Sequence, residues 1–398
     1  MKRRIDSTKF LLIVFFLSGL FFVFCSLTVE AQSIGTVWGA KRDSVLTINK
    51  RIQKLADRLL ENKQGSIVAL DPTTGEILCM SSSSFDTDTI NRAVSVTYEP
   101  GSTFKIAQAL AQLSEGELNE GRYYSCHKGF WQDNIHIGCH KHHSPLKLID
   151  ALANSCNSYF CRSFIHMIDD RIKYPSKLDA INTWRSYMLS MGLGNKLGTD
   201  VPGEVGGLMP SAKYLETFYN HRWTSTTIMW VGMGQGGVKV TNLQLANLCA
   251  CIANRGWYIT PHIHKYAPLA NCQLHQAIVT PESYETVIKG MRGAVTRGTC
   301  TEINTPDYSI CGKTGTSENA GPDHSLFVGF APMNNPRIVV SVIIENGGWG
   351  ADFAAPLAAL IMEQYLKGHL SASSKRHADK WQHYICVPYT SDDISTGK

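Results

Sequence analysis

The sequence predicts a mixed α/β domain, in which a large helical insertion separates the two halves of a sheet, behind a single membrane-spanning segment. Three observations predict it. Strand patterns sit at both ends of the globular part, from Ser66 to Met80 and again from Ser309 to Glu345. Between about Thr103 and Leu248 the pattern is mostly helical, broken by long polar loops rich in Gly, His and Pro. Phe10 to Val29 is apolar and carries no charge.

At the N-terminus, the basic residues Lys2, Arg3, Arg4 and Lys9 precede the apolar run and would stay cytoplasmic, which places residues 1–9 inside, 10–29 in the membrane and the remainder outside. A cleavable signal peptide is the rival, since Val29-Glu30-Ala31 loosely resembles a cleavage site, but the run exceeds a usual signal core. The net charge of +5 is uneven. These four bases against Asp6 supply +3 and leave +2 for the rest, so no nucleic-acid footprint is expected. With 43% hydrophobic and 18% charged residues, the chain has the balance of a globular protein. Its twelve cysteines are many for an exported chain, where thiols usually pair or bind metal.

After a connector over residues 30–43, Leu46, Ile48, Ile52, Leu55, Leu59 and Leu60 recur at roughly helical spacing. Gly65 ends that helix. Ser66 to Leu70 reads as a strand, Asp71-Pro72-Thr73-Thr74-Gly75 as a turn, and Glu76 to Met80 as the return strand. Late in the chain, strands are expected over Ser309 to Lys313, Leu326 to Ala331 and Arg337 to Glu345, then a closing helix over Ala355 to Tyr365. The globular domain is bounded at residues 44–370. Residues 371–398 read as a polar, loosely ordered tail, with Lys375 to His383 a solvated extension.

Three short motifs carry the chemistry. Ser102-Thr103-Phe104-Lys105 opens an apolar helical run, and positions three apart share a helix face, so the Ser102 hydroxyl and Lys105 amine should sit side by side. A serine needs a base to become nucleophilic, and a desolvated neutral lysine can serve. Ser155-Cys156-Asn157 links two helical stretches and can point a hydroxyl and an amide into one cleft. Lys313-Thr314-Gly315-Thr316 follows a strand; Gly315 permits close approach of a substrate backbone, and Lys313, Thr314 and Thr316 can bind a carboxylate. Each alone is weak, because a cap beside a solvated lysine is the commoner meaning of Ser-x-x-Lys. Together, in this order and with gaps of about fifty and about one hundred and sixty residues, they match the set shared by penicillin-binding proteins and class A β-lactamases.

Beyond these motifs, the sequence resembles the class B penicillin-binding proteins, above all the transpeptidase domain of the elongation type. The likeness runs from about Leu46 to about Leu366 and includes residues 69–78, Asn91-Arg92-Ala93, residues 98–105, Gly234-Gln235-Gly236, residues 240–246 and residues 327–332. It implies a β-lactamase/transpeptidase-like fold, with an antiparallel five-stranded sheet flanked by helices plus a helical subdomain. It also implies a Ser102 acyl-enzyme formed on the D-Ala-D-Ala end of a peptidoglycan stem peptide and resolved by a neighbouring stem peptide, with Lys105 as base. Ser155 would pass a proton to the leaving amine, Asn157 would orient the donor, Lys313, Thr314 and Thr316 would hold its carboxylate, and the Ser102 and Thr316 N–H groups would form the oxyanion hole. β-Lactam antibiotics and a membrane glycosyltransferase are the implied partners. Catalysis needs no cofactor on this reading. One departure is that family members usually carry a long pedestal domain, whereas only about fifteen connector residues stand between the apolar run and the domain.

Between Cys126 and Cys156 lie four further histidines, His127, His136, His140 and His142, besides Cys139 and His143, a cluster in excess of chance. The same resemblance implies a structural zinc held by Cys126, Cys139, His143 and Cys156, a closed tetrahedral set that would pin a loop. A Cys126 to Cys139 disulfide and unpaired thiols are the other readings. Trp223, Trp230, Trp257 and Tyr258 read as packing more readily than as a cleft lining. A β-lactamase would need a deacylating glutamate that no motif marks, a D,D-carboxypeptidase differs only in using water as acceptor, and a β-lactam sensor would need a signalling segment larger than residues 1–9.

Overall fold

The computed structural model describes residues 45–85, 89–132, 134–266, 272–319 and 321–386. The apolar run, the basic segment and the whole connector lie outside these, as does the tail beyond 386. Among the described residues no helix is long and apolar enough to cross a membrane.

The elements follow in chain order. Helix α1 (Lys50–Leu59) leads to β1 (Gly65–Leu70) and β2 (Ile77–Ser83). The insertion holds α2 (Lys105–Ser114), the short strands β3 (Tyr123–Tyr124), β4 (Gly129–Gln132), β5 (Ile135–Gly138) and β6 (Leu146–Lys147), and the helices α3 (Leu148–Ala153), α4 (Asn157–Asp169), α5 (Lys177–Ser190), α6 (Ala212–Phe218), α7 (Met229–Gly232) and α8 (Asn242–Ala253). The strands β7 (Trp257–Ile259) and β8 (Leu274–Gln276) and helix α9 (Pro281–Thr296) follow. The chain then closes with β9 (Cys311–Ser317), β10 (His324–Ala331), β11 (Ile338–Ile344), α10 (Ala354–Lys367) and α11 (Ala372–His383).

Five strands form one antiparallel sheet in the order β2-β1-β11-β10-β9, so the N-terminal hairpin and the three late strands meet at β1 and β11. Alternation along each strand feeds two cores. Ile67 and Ala69 of β1 join Ile52, Leu55 and Leu59 of α1 and Leu357 and Ile361 of α10, while Val68 and Leu70 face the insertion. In β11, Val340 and Val342 face α1 and α10, and Val339 and Ile343 face α8 and its neighbours. Burial on both faces explains why these strands are continuous apolar runs. Polar groups inside this layer are paired: Asn242 of α8 donates to Ser66 O at 3.0 Å and accepts from Ser341 Oγ.

Three boundaries differ from the sequence reading. Helix α1 starts at Lys50 because Asn49 Oδ1 caps the N–H groups of Arg51 and Ile52. Strand β9 begins two residues later than expected and runs to Ser317, so the Lys313-Thr314-Gly315-Thr316 motif lies within the strand, at the sheet edge. Residues 372–383 are helical and not a loose extension: Ser371 caps the helix, Leu370 and Ala378 are buried, and Trp381 stands 4.8 Å from the Phe353 ring. The helical spacing of Ala378 and Trp381 supplies the apolar stripe that polar composition hides.

Candidate active site

Ser102 sits in a turn gripped on two sides. Gly101 has φ +50, and its N–H donates to Gly234 O at 3.0 Å. A Cβ on Gly101 would lie 2.3 Å from Thr316 O, and one on Gly234 would lie 2.5 Å from Gly101 O. The nucleophile turn therefore lies against the free edge of β9, at an approach that only glycine permits. Gly101→Ala is expected to cost roughly 2–4 kcal/mol through strain and overlap and to displace Ser102. Thermal melting alongside penicillin labelling checks this, and an unchanged melting curve would contradict it.

Residues 101–104 form a 3-10 turn that passes into α2, which places Lys105 three residues after Ser102 on the same face. The Lys105 side chain is fully buried among Phe104, Phe160 and their neighbours, with Nζ 2.9 Å from Ser102 Oγ. Burial pushes its ammonium down to about 8. Two further partners are oxygens that only accept: Ser155 O at 3.0 Å and Asn157 Oδ1 at 2.5 Å. The Asn157 amide cannot be reversed, because its Nδ2 donates to Gly138 O at 2.7 Å. A neutral Lys105 amine thus spends its two hydrogens on these oxygens, and its lone pair faces the Ser102 hydroxyl. Among the described residues no carboxylate pairs with Lys105, which removes the usual reason for a lysine to stay charged.

Ser155 occupies the link between α3 and α4 with φ +54, a conformation few non-glycine residues adopt. Backbone bonds from Ser155 N to Leu152 O and from Cys156 N to Ala151 O hold it there. Its Oγ is 3.3 Å from Lys105 Nζ, so all three motifs converge as the sequence predicts.

The cleft has two lobes of about 350 and 460 Å³. The smaller is walled by Thr299, Thr314 and Thr316, with the Thr299 and Thr314 hydroxyls 2.8 Å apart. The larger is walled by Gly138, Asn157, Trp230, Gln235, Glu318 and Asp323. Ser102, Ser155, Thr316, His140 and Trp349 wall both. Gly315 lies under Thr103, whose Cγ2 would be 2.7 Å from an added Cβ. Lys313 is placed differently from the expectation of direct contact: it is fully buried, does not wall the cleft, and donates to Thr314 O at 2.9 Å. The strand register puts Lys313 on the face of its partner Val328, in the core beneath the insertion and near Lys105, while Thr314 and Thr316 wall the cleft. Burial, reinforced by Lys105, holds Lys313 well below the usual lysine range.

Cys126, Cys139, His142 and Cys156 bring one ligand atom each within 4.8 Å of one another, beside the motif at residues 155–157. The histidine is His142 and not the expected His143, whose side chain is 64% exposed and lies 3.9 Å from Asp150. Neighbouring side chains on this extended loop point apart. His142 Nδ1 donates to His143 O at 2.7 Å, which leaves Nε2 as the lone-pair nitrogen, and that atom is buried without a hydrogen-bond partner. All described cysteines are free thiols, so no Cys126 to Cys139 bridge is present. The donor set fits a closed four-coordinate site.

Sequence reasoning named His140 and His142 in the cluster without giving either a role, missed Thr299, Trp349 and the Gly138 carbonyl, and read Trp230 as packing although it walls the larger lobe. Of the missed groups, only Trp349 carried a signal, a large aromatic set between Gly347-Gly348 and Gly350.

The Penicillin binding protein transpeptidase domain matches residues 65–363. Peptidoglycan D,D-transpeptidase MrdA of Acinetobacter baumannii is 30% identical over 380 residues, covering 81% of this chain and 54% of that protein. The chain spans about half the length of the curated relatives it matches. Pseudomonas aeruginosa PBP2 in complex with WCK 5153 superposes with a TM-score of 0.73 at 32% identity, covering 83% of this chain and 80% of that one. A peptidoglycan synthase complex that coordinates polymerization and crosslinking contains a chain with a TM-score of 0.71 at 26% identity, covering 82% and 63%. The converging Ser102, Ser155 and β9-edge motifs and the match over most of the sequence lead to one conclusion: this chain belongs to the penicillin-binding protein transpeptidase domain family.

Proposed function

We propose that this chain is a serine D,D-transpeptidase that cross-links peptidoglycan stem peptides through a Ser102 acyl-enzyme. The observation that carries the reading is the Lys105 amine, buried with two obligate acceptors on its hydrogens and Ser102 Oγ at 2.9 Å on its remaining side. Lys105 takes the Ser102 proton as Oγ attacks the penultimate D-alanine carbonyl. Ser155 relays a proton to the departing D-alanine amine, Asn157 orients the donor, and the Ser102 and Thr316 N–H groups face the developing oxyanion. The donor carboxylate belongs in the smaller lobe, on Thr314, Thr316 and Thr299, with the buried Lys313 beneath them near Lys105. An acceptor amine then attacks the ester carbonyl. A synthetic stem pentapeptide with an amine acceptor tests this by mass spectrometry. D-alanine release with cross-linked product is expected; release with tetrapeptide alone would make the chain a carboxypeptidase, and no release would sink the reading.

Anchoring through residues 10–29 with the domain outside the membrane, and work beside a membrane glycosyltransferase, belong to the same reading. The uncharged apolar run supports the anchor, and the synthase complex above, which coordinates polymerization with crosslinking, supports the partner.

We also infer that Cys126, Cys139, His142 and Cys156 hold a structural zinc. The buried, unpartnered His142 Nε2 within a cluster of three thiols supports it. With four protein ligands the ion would have no open position, so it would pin the loop that presents the Gly138 carbonyl to Asn157. Freshly isolated protein should contain one zinc per chain and lose melting temperature with a chelator. Metal analysis finding none would remove the inference.

A further inference from the structure

The cleft has a throat with two aromatic rings that the mechanism above does not use. Its two lobes meet at Ser102, and besides Ser155 and Thr316 the residues common to both are His140 and Trp349. These two come from separate loops, one after β5 and one after β11, and their rings meet at 5.0 Å with a 58° tilt. Trp349 is 54% exposed, which is unusual for a tryptophan that packs into no core. Its backbone is nonetheless fixed. The Trp349 carbonyl accepts from Ser325 Oγ at 3.1 Å and from the N–H groups of Asp352 and Phe353. The next residue, Gly350, lies so close to β9 that a Cβ there would stand 2.4 Å from Gly315 O. A rigid backbone that presents an exposed indole to a ring on the opposite loop is a bridge, and the bridge stands where the acyl ester forms.

We propose that the His140 and Trp349 rings form a roof over the Ser102 ester that excludes water, and so sets the choice between amine and water as acyl acceptor. This rests on the acyl-enzyme reading above. In the productive step the acceptor nitrogen bonds to the ester carbonyl carbon, the bond to Ser102 Oγ breaks, and Oγ takes the proton that the amine loses. With water the same bond breaks, the oxygen of water becomes part of a free carboxylic acid, and the cross-link is lost. Both routes start from one ester, so whatever reaches its carbonyl decides the product. Ring faces over the ester offer a lone water fewer hydrogen-bond partners than open solvent does, and so hinder it more than a stem peptide held along the cleft.

The test compares the full chain with Trp349→Ala, His140→Ala and the conservative Trp349→Phe. Each is labelled with a fluorescent penicillin, and label release and melting temperature are followed. Loss of the ring contact is expected to speed release about threefold to tenfold in both alanine variants. It should also raise the ratio of hydrolysed to cross-linked stem peptide, while Trp349→Phe returns both towards the parent. Trp349→Ala protein that labels at Ser102 and releases at the parent's rate overturns the roof and leaves the transpeptidase reading standing. Trp349→Ala protein that melts like the parent but takes no label also overturns it, since the ring would then serve acylation. A parent that takes no label overturns the reading on which the roof rests.

Discussion

Ser102→Ala is expected to lower the rate of covalent penicillin capture by about 10⁶-fold, because Ser102 Oγ is the hydroxyl nearest the Lys105 amine, at 2.9 Å against 3.3 Å for Ser155 Oγ, which serves as the proton relay. The fold should not notice the change. Ser102 is partly exposed in a turn held by backbone contacts of Gly101 and Thr103, so melting should move by no more than about 0.5 kcal/mol equivalent. Stopped labelling followed on a denaturing gel reads the first quantity, and thermal denaturation reads the second. A variant that melts normally yet still takes label would place the nucleophile elsewhere.

Lys105→Ala should slow acylation by about 10²- to 10⁴-fold, the usual range for removing a positioned general base. The parent should also show a pH dependence whose sign follows from burial. Below about 8 the Lys105 amine is protonated and has no lone pair for the Ser102 proton; above it the amine is neutral. Acylation should therefore rise with pH up to about 8 and then level, and the residual rate of Lys105→Ala should lack that rise. A parent profile flat from pH 6 to 9 would assign the base to another group. The alanine variant also leaves Asn157 Oδ1 and Ser155 O without their donor, so a melting control belongs beside it.

Much of this site was legible before any coordinates, and the reason is local. Ser102 and Lys105 share a helical register, and β1, β10 and β11 are apolar runs bounded by turn residues, so short-range rules reach them. Other features depend on which way a loop turns. His142 and His143 are equivalent in sequence, and only the path after Cys139 decides that His142 faces the thiols. Likewise, the burial of Lys313 depends on the motif lying within β9 and not after it, which shifts its side chain from the cleft to the interior. The Gly138 carbonyl that orients Asn157 is invisible to any reading of side chains, since every residue carries a carbonyl. Residues 372–383 misled because nine of twelve are polar or charged, and the Ala378 and Trp381 stripe is short.

The central claim is that dispersed motifs fold into one pocket in which Lys105 activates Ser102. Mapping the adduct tests it most directly. Parent protein treated with penicillin and digested with trypsin should carry the added mass on the segment 93–105, bounded by Arg92 and Lys105, and within it on Ser102. Label on any other segment, or on a different hydroxyl of this one, would contradict the account.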